Sequence, residues 1–133
     1  MKRMLLATMV AMAMVAILVP TIASATVTSH SIAANGTLFS GGLFLQVGVN
    51  VNCTAGEVVI VRATATQNDA FGEAIGGLFC TGSSQSVPAT MRTFGGAFET
   101  GTATLCVVVA TIDRNGLRIT DTEQSCANIT LAT

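Results

Sequence analysis

Several segments of this chain alternate apolar and polar residues at every second position. The pattern is clearest between Thr100 and Leu131, where two alternating segments flank Arg114-Asn115-Gly116-Leu117. Asn-Gly is the pair best suited to a two-residue turn in which both central residues need φ > 0. This stretch therefore predicts a β-hairpin with Asn115 and Gly116 as its turn.

Counting along the two arms of this hairpin predicts a disulfide. With Arg114 facing Leu117, Cys106 lies opposite Ser125, which is one residue away from Cys126. A single β-bulge closes that gap. A Cys106–Cys126 bridge is therefore within easy geometric reach.

The remaining mature chain reads as strands separated by turns. Four further segments predict strands: 27–33, 43–53, 58–66 and 86–91. The segment 58–66 begins with apolar residues at both its odd and its even positions, which is typical of a central strand. The fourth contains Pro88, which confines it to a sheet edge. Asn35-Gly36 predicts a turn, and residues 67–76 lack a clear period and predict a loop or a short edge strand.

These elements together predict the fold class. No helical period is found, and turn signals recur at intervals of roughly 8–15 residues between about seven short strands. The sequence therefore predicts an all-β protein, an immunoglobulin-like Greek-key β-sandwich.

The first 25 residues have the features of a signal peptide. Lys2 and Arg3 precede the uncharged segment 4–19, and Ala23-Ser24-Ala25 offers small residues to a signal peptidase. The apolar segment is shorter than the ~20 residues of a membrane span. We predict a signal peptide at 1–25, a single domain at 26–133, and a secreted protein that is not attached to a membrane.

Removal of this peptide changes the charge balance. Two of the six basic residues leave with it, so four arginines face seven acidic residues and the net charge becomes about −3. Nucleic-acid binding needs a clustered basic surface, and anionic membranes attract basic segments. Neither kind of partner is expected.

The four cysteines of an exported chain predict two disulfides. The hairpin favours Cys106–Cys126, which leaves Cys53–Cys80. The alternative pairing of Cys53 with Cys106 would be the inter-sheet bridge of immunoglobulin domains, but the chain has no Trp to pack on it. A zinc site is a third possibility, although the spacings include no close Cys-x-x-Cys pair.

Part of the chain resembles a known group of proteins. The resemblance rests on five features in order: Cys53, Gly56, Thr66-Gln67, Gly76-Gly77-Leu78-Phe79-Cys80 and Phe98-Glu99-Thr100-Gly101-Thr102-Ala103. In these five features the chain is similar to small secreted domains of unknown function from actinobacteria. The resemblance implies an immunoglobulin-like sandwich with a Cys53–Cys80 bridge, and it implies no activity.

Residues that could carry catalysis do not form a recognised motif. His30 is the sole histidine, and neither a Gly-x-Ser-x-Gly segment nor an unpaired cysteine supplies a nucleophile. A glycosidase would need two carboxylates beside a sugar cleft, and the chain has no Trp or Tyr platform. The acids considered for that role are Glu57, Asp69, Glu73 and Glu99. We expect a surface histidine, solvated acids and no enzyme activity.

Metal and glycan sites are also weakly indicated. Asp113-Arg114-Asn115-Gly116 faintly resembles a calcium loop, but arginines intrude and strands flank it. We expect turn chemistry there, and neither a metal nor a cofactor. Asn35, Asn52 and Asn128 begin Asn-x-Thr sequons, which matter only in a eukaryotic secretory route.

Phenylalanines provide the main functional hypothesis. Phe71, Phe79, Phe94 and Phe98 all fall in glycine-rich connections, whereas the predicted strands are aliphatic. Aromatic side chains on loops at one end of a sandwich can form a binding surface or an apolar cleft, and they can also simply cap the sheets. Phe94 and Phe98 are the first expected to be exposed.

The resulting hypothesis is an exported, non-catalytic, monomeric domain that binds an unknown protein or cell-wall partner through these residues. The alternative is a carrier that holds a small apolar ligand in a Phe-lined cleft.

Overall fold

A computed structural model describes residues 27–115 and 118–133. The predicted signal peptide at 1–25 and the predicted turn residue Gly116 lie outside these ranges. The strands are β1 (Val27–Ile32), β2 (Asn35–Phe39), β3 (Phe44–Cys53), β4 (Val58–Gln67), β5 (Ala70–Phe79), β6 (Ser84–Gly95), β7 (Gly101–Ile112) and β8 (Ile119–Ala132). A short 3₁₀ helix occupies Ser40–Gly42. In the described part of the chain, no helix has the length and hydropathy needed to span a membrane.

The eight strands form one continuous sheet that closes on itself. The strands pair in the order β1-β3-β2-β8-β7-β4-β5-β6, and β6 returns to pair with β3. Seven strands thus make a closed ring, and β1 is added along the end of β3. The pairings are antiparallel except that of β2 with β8, which is parallel over three residue pairs.

Long and short ladders alternate around this ring. The block β5-β4-β7-β8 has nine to twelve residue pairs in each ladder, and β3 pairs with β6 at nine positions. The two blocks are joined by four pairs between β5 and β6 and by three pairs on each side of β2. The all-β prediction is confirmed, but eight strands in one closed sheet replace about seven in two sheets. The immunoglobulin-like arrangement stays a prediction.

The inner face of the closed sheet holds a single apolar core. Because successive strand residues point to opposite faces, every second residue of the long strands is buried. The fully buried side chains include Leu45, Val59, Val61, Met91, Leu105, Val107 and Ile129. Burial of each large aliphatic side chain contributes roughly 1.5–3 kcal/mol to folding. β4 lies between β5 and β7, as the apolar residues in both of its phases predicted.

The hairpin register agrees with the count made on the sequence. Ile112 pairs with Ile119, but Thr111 pairs with Asp121, so Thr120 is the extra residue of a bulge. That shift brings Cys106 opposite Cys126 instead of Ser125. The register prediction is therefore confirmed.

Both predicted disulfides are present. Cys53–Cys80 joins buried residues with their Cα atoms 5.5 Å apart, and Cys106–Cys126 joins β7 to β8 with Cα atoms 4.0 Å apart. The alternative Cys53–Cys106 pairing and the zinc site are therefore wrong. Two disulfides in a small domain are typical of an oxidising, extracytoplasmic location.

Two local predictions need correction. Residues 67–76, predicted as a loop or a short edge strand, instead end β4 at Gln67, turn at Asn68-Asp69 and form the first seven of the ten residues of β5, which pairs with β4 along its whole length. Asn35-Gly36 starts β2 and not a turn, because a Cβ on Gly36 would lie 2.9 Å from Leu131 Cδ2 and the missing side chain permits close packing. The edge position predicted from Pro88 agrees with the structure, since β6 pairs with β5 only from Arg92 onward.

Candidate binding surface

Four exposed phenylalanines lie side by side across four neighbouring strands. Phe39 of β2 is opposite Phe44 of β3, and Phe71 of β5 is opposite Phe94 of β6. Phe44 is also opposite Arg92, which places Phe94 two residues farther along the same face of β6. We call Phe39, Phe44, Phe94 and Phe71 the aromatic row.

The register makes this row contiguous. Directly opposed residues have Cβ atoms about 4.5–5.5 Å apart, and diagonal neighbours such as Phe44 and Phe94 are about 7–8 Å apart, within reach of aromatic side chains. Phe39 is 46% exposed, Phe44 38%, Phe71 40% and Phe94 60%. Leu43, which directly precedes β3, is 51% exposed.

The size of the row is comparable to that of a functional patch. Since an aromatic side chain has roughly 150–250 Å² of surface, the exposed fractions amount to roughly 300–450 Å² of accessible area. The largest apolar patch on a typical monomer is about 300–600 Å² and is often functional. The aromatic row is thus large enough to be an interaction surface.

Strand periodicity explains why Phe39 and Phe44 face solvent. Leu38 and Leu45 are opposite each other and point into the core, with exposures of 6% and 0%. Their chain neighbours Phe39 and Phe44 must therefore point outward. Neither phenylalanine was among the predicted site residues, although the inward phase of Leu45 already indicated the outward phase of Phe44.

The interior of the sheet is filled beneath Phe71, which belongs to the second pair of the aromatic row. Phe71 lies between Ala70 and Gly72, both of which are buried. A Cβ on Gly72 would lie 2.8 Å from Met91 Sδ and 3.2 Å from Phe98 Cε2. Large side chains therefore occupy the space beneath Phe71, which stays on the outer face.

Phe98 is a core residue and not a surface residue. It is 2% exposed, and its backbone N–H donates to the Gly42 carbonyl at 2.9 Å. Gly42 has φ of +86°, and any Cβ there would overlap the Phe98 carbonyl oxygen. The prediction that Phe98 is exposed with Phe94 is therefore wrong, because this contact pins the segment after β6 against the core.

Phe79 is exposed but lies far from the aromatic row. It is 64% exposed, and the Arg114 guanidinium carbon is 4.8 Å from its ring centre. Phe79 and Phe71 are eight residues apart on the same strand, which is roughly 26 Å at 3.3 Å per residue. Of the four predicted phenylalanines, only Phe71 and Phe94 are brought together.

The aromatic row has one basic residue near its centre. Arg92 is paired in register with both Phe44 and Glu73. Glu73 is already bound by Arg62, whose Nε and Nη2 donate to the two carboxylate oxygens at 2.9 and 3.1 Å. Among the described residues Arg92 makes no ion pair. The surface therefore presents phenylalanines around an uncompensated positive charge.

A second polar cluster links β1 to β8. His30 Nδ1 is 2.7 Å from Glu123 Oε2, and His30 Nε2 is 2.7 Å from Ser125 Oγ. Because a carboxylate only accepts hydrogen bonds, Nδ1–H donates to Glu123, and in the neutral imidazole Nε2 then accepts from the Ser125 hydroxyl. His30 is half-buried. It is therefore not the simple surface histidine expected, and it does have a serine neighbour.

The order carboxylate, imidazole, hydroxyl is that of a serine-hydrolase triad. A catalytic serine also requires a substrate cleft beside its hydroxyl and hydrogen-bond donors that stabilise the oxyanion. The cleft of about 100 Å³ at His30 is lined by outward residues such as Ser29 and Asn50, and neither Ser125 nor Glu123 borders it. The cluster is better explained as a side-chain link between β1 and β8. In the described part of the chain, these two strands are not hydrogen-bonded neighbours in the sheet.

Two further acidic residues, Asp113 and Glu99, take part in local hydrogen bonds. Asp113 Oδ1 accepts from the Asn115 amide at 2.9 Å, the turn chemistry expected at the faint calcium motif. Gln67 binds the backbone of Glu99 through both its Oε1 and its Nε2. In the described ranges no three His, Cys, Asp or Glu side chains come together as a metal site would require.

Comparison with known proteins identifies no family. No family model and no curated protein matches the chain. Among solved structures it is similar to AggA, the major subunit of aggregative adherence fimbriae type I (AAF/I) from Escherichia coli, with 10% identity and a TM-score of 0.39. The match covers 78% of this chain and 93% of that chain. A TM-score of this size leaves fold and function to be argued from this chain's own residues, and the actinobacterial resemblance stays a prediction.

Proposed function

We propose that this protein is an exported, non-catalytic domain that binds a protein partner through the aromatic row. The observation that carries the proposal is the alignment of Phe39, Phe44, Phe94 and Phe71 on one outer face, each at least 38% exposed. Interface centres are enriched in aromatic residues and arginine. The aromatic row with Arg92 has that composition.

Charge argues that the partner is a different protein and not a second copy. A twofold-symmetric contact places the same surface on both subunits. If two aromatic rows faced each other about their centres, the two copies of Arg92 would meet, and like charges in a contact oppose association.

Composition argues against a wall polymer. Sugar-binding platforms usually contain Trp or Tyr, and this chain has neither. The side chains of the aromatic row carry no hydrogen-bonding group, which a polysaccharide would need in order to replace its bound water. An apolar protein segment makes no such demand on the phenylalanines.

The partner should supply a carboxylate as well as apolar side chains. Arg92 is exposed and lacks an ion pair among the described residues, since Glu73 is held by Arg62. An Asp or Glu of the partner could bind the guanidinium through two parallel hydrogen bonds. Such a bond, partly shielded from water by the phenylalanines, would fix the orientation of the partner.

The alternative function, a carrier with a Phe-lined cleft, has less support. Phe98 borders a surface cleft of about 380 Å³ beside Leu38 and Gly42, but none of the other predicted phenylalanines does. Phe98 itself is packed in the core. The four predicted phenylalanines therefore do not form a common cleft.

The test compares two double variants, each of which removes two large, exposed apolar side chains. Tagged wild-type protein, a Phe44→Ser, Phe94→Ser variant and a Phe79→Ser, Ile75→Ser control are incubated with culture supernatant and a cell-wall extract of the producing organism. Ile75 and Phe79 are 69% and 64% exposed on β5, four and eight residues beyond Phe71. Each captured protein is then purified, and its affinity is measured directly.

We expect one protein to bind wild type and control equally and the row variant at least 30-fold more weakly, since a hot-spot residue contributes about 2 kcal/mol or more. Arg92→Glu should weaken binding more than Arg92→Gln. Equal affinity for the row variant would contradict the proposal. The proposal would also be contradicted if the molecule captured by wild type were a polysaccharide or a second copy of this chain, and if the row variant no longer bound it.

A further inference from the structure

The two disulfides lie in opposite environments. Cys53 and Cys80 are 1% and 5% exposed and belong to the core. Cys126 is exposed and Cys106 is half-buried, both on the outer face of the sheet. A thiolate from outside can therefore reach one bond and not the other, and accessible disulfides are the labile ones in proteins.

The strands around Cys106–Cys126 do not depend on that bond for their pairing. The β7–β8 ladder continues for five residue pairs on one side of the bridge and for six on the other. The bridge occupies a position where the two Cα atoms are 4.0 Å apart, the close spacing of a non-hydrogen-bonded pair. Backbone hydrogen bonds on both sides can keep Cys106 and Cys126 adjacent after the sulfur–sulfur bond has opened.

Cys53–Cys80 has a different structural role. It connects the end of β3 to the residue after β5, and these two strands share no ladder. The Cys80 N–H donates to the Glu57 carbonyl at 2.8 Å, so the bridge also fixes the segment between β3 and β4. Opening it requires loss of core packing.

We propose that Cys106–Cys126 is a site of thiol–disulfide exchange in the folded protein, whereas Cys53–Cys80 is structural. This inference is independent of the aromatic row. An external thiolate attacks Sγ of Cys126, the Cys106–Cys126 bond breaks, and Cys106 leaves as a thiolate that takes a proton from water. The product is a mixed disulfide at Cys126.

The co-reactant is a thiol, either a small exported molecule or a protein dithiol. When the co-reactant is a dithiol, its second thiolate attacks the co-reactant's first sulfur, which is bonded to Cys126 in the mixed disulfide. That bond breaks, and Cys126 leaves as a thiolate. The two electrons then reside on Cys106 and Cys126, and the dithiol has become a disulfide. With a small thiol, the reaction stops at the adduct or continues with a second molecule.

The distribution of arginines makes the test simple. Trypsin cleaves after Arg62, Arg92, Arg114 and Arg118, which places each cysteine on its own peptide. Folded wild-type protein is treated with dithiothreitol, and free thiols are alkylated at intervals with one isotopic reagent. The remaining disulfides are then reduced under denaturing conditions and alkylated with a second reagent, and the peptides are quantified.

We expect Cys106 and Cys126 to react together at least ten times faster than Cys53 and Cys80, with the β-sheet circular dichroism unchanged. Parallel reactions with reduced glutathione and with a reduced thioredoxin-type protein show which kind of thiol is competent. Opening by either one supports the proposal. Opening by neither, or equal rates for the two bridges, overturns it.

Single-cysteine variants test the point of attack. Cys106→Ser leaves the thiol of Cys126, and Cys126→Ser leaves that of Cys106. With glutathione disulfide, the Cys126 thiol should form its adduct several times faster, because it is the more exposed sulfur. A faster adduct at Cys106 would overturn the assignment of Cys126. If either variant fails to fold, the wild-type time course still decides whether the bridge exchanges.

Discussion

Phe44 and Arg92 are directly opposed on β3 and β6, so a charged residue lies beside the phenylalanines of the outer face. Glu73, which is also opposite Arg92, forms its ion pair with Arg62 instead. The arrangement leaves a guanidinium available among the phenylalanines that flank it. If the aromatic row binds a protein as proposed, this guanidinium would favour a partner that carries a carboxylate.

Phe94 and Phe98 should differ sharply in their effect on stability. Phe98→Ala removes a buried ring and should lower the free energy of unfolding by about 3–5 kcal/mol. Phe94→Ala removes an exposed ring and one cross-strand contact with Phe71, and should cost about 1 kcal/mol or less. Urea unfolding followed by circular dichroism measures both, since the chain has no Trp or Tyr for fluorescence. Similar losses would show that Phe98 is not a core residue.

Gly42 should be far less tolerant of a side chain than Gly41. Both residues have positive φ, +86° and +68°, and each therefore disfavours alanine by about 1 kcal/mol. A Cβ at Gly42 would additionally overlap the Phe98 carbonyl oxygen, whereas a Cβ at Gly41 meets no atom within 4 Å among the described residues. We expect Gly42→Ala to cost at least about 2 kcal/mol more than Gly41→Ala in thermal unfolding. Equal midpoints for the two variants would contradict the close approach.

The link between β1 and β8 predicts an ordered series of losses. His30→Ala removes both hydrogen bonds and leaves two side chains without a partner, so we expect it to cost about 2–3 kcal/mol. Ser125→Ala removes one neutral hydrogen bond and should cost about 1 kcal/mol. Amide hydrogen exchange should quicken in β1 for His30→Ala, while the β4–β7 ladder stays protected. A Ser125→Ala loss larger than that of His30→Ala would show that His30 is not the centre of the link.

Local patterns predicted the fold where pairing partners are close in sequence. The two arms of the hairpin, β7 and β8, are separated by only six residues in the sequence, so alternation and one bulge were enough to place Cys106 opposite Cys126. The central position of β4 was predicted from a different signal, the apolar residues in both of its phases. The closure of the sheet could not be predicted, because the β3–β6 and β2–β8 pairings join residues far apart in sequence and depend on how the core is filled.

Glycine caused the main local errors. Asn35-Gly36 has the composition of a turn, but at Gly36 the missing side chain makes room for Leu131 and Leu45. In β5, the glycine at position 72 makes room for Met91. The same glycine interrupts the apolar alternation by which the strand could have been recognised in the sequence. Phe98 has glycine-rich surroundings like those of Phe94, and only the contact with Gly42 shows that it is buried. The aromatic row was therefore half predicted, through Phe71 and Phe94.

Site-specific photocrosslinking tests the aromatic row most directly. A photoreactive phenylalanine analogue replaces Phe94 in one variant and Phe79 in a second, and both are produced in the native organism and irradiated. The account predicts a covalent adduct with one other protein from position 94 and none with that protein from position 79. The same adduct from Phe79, or none from Phe94 when the protein is folded and exported, would contradict it.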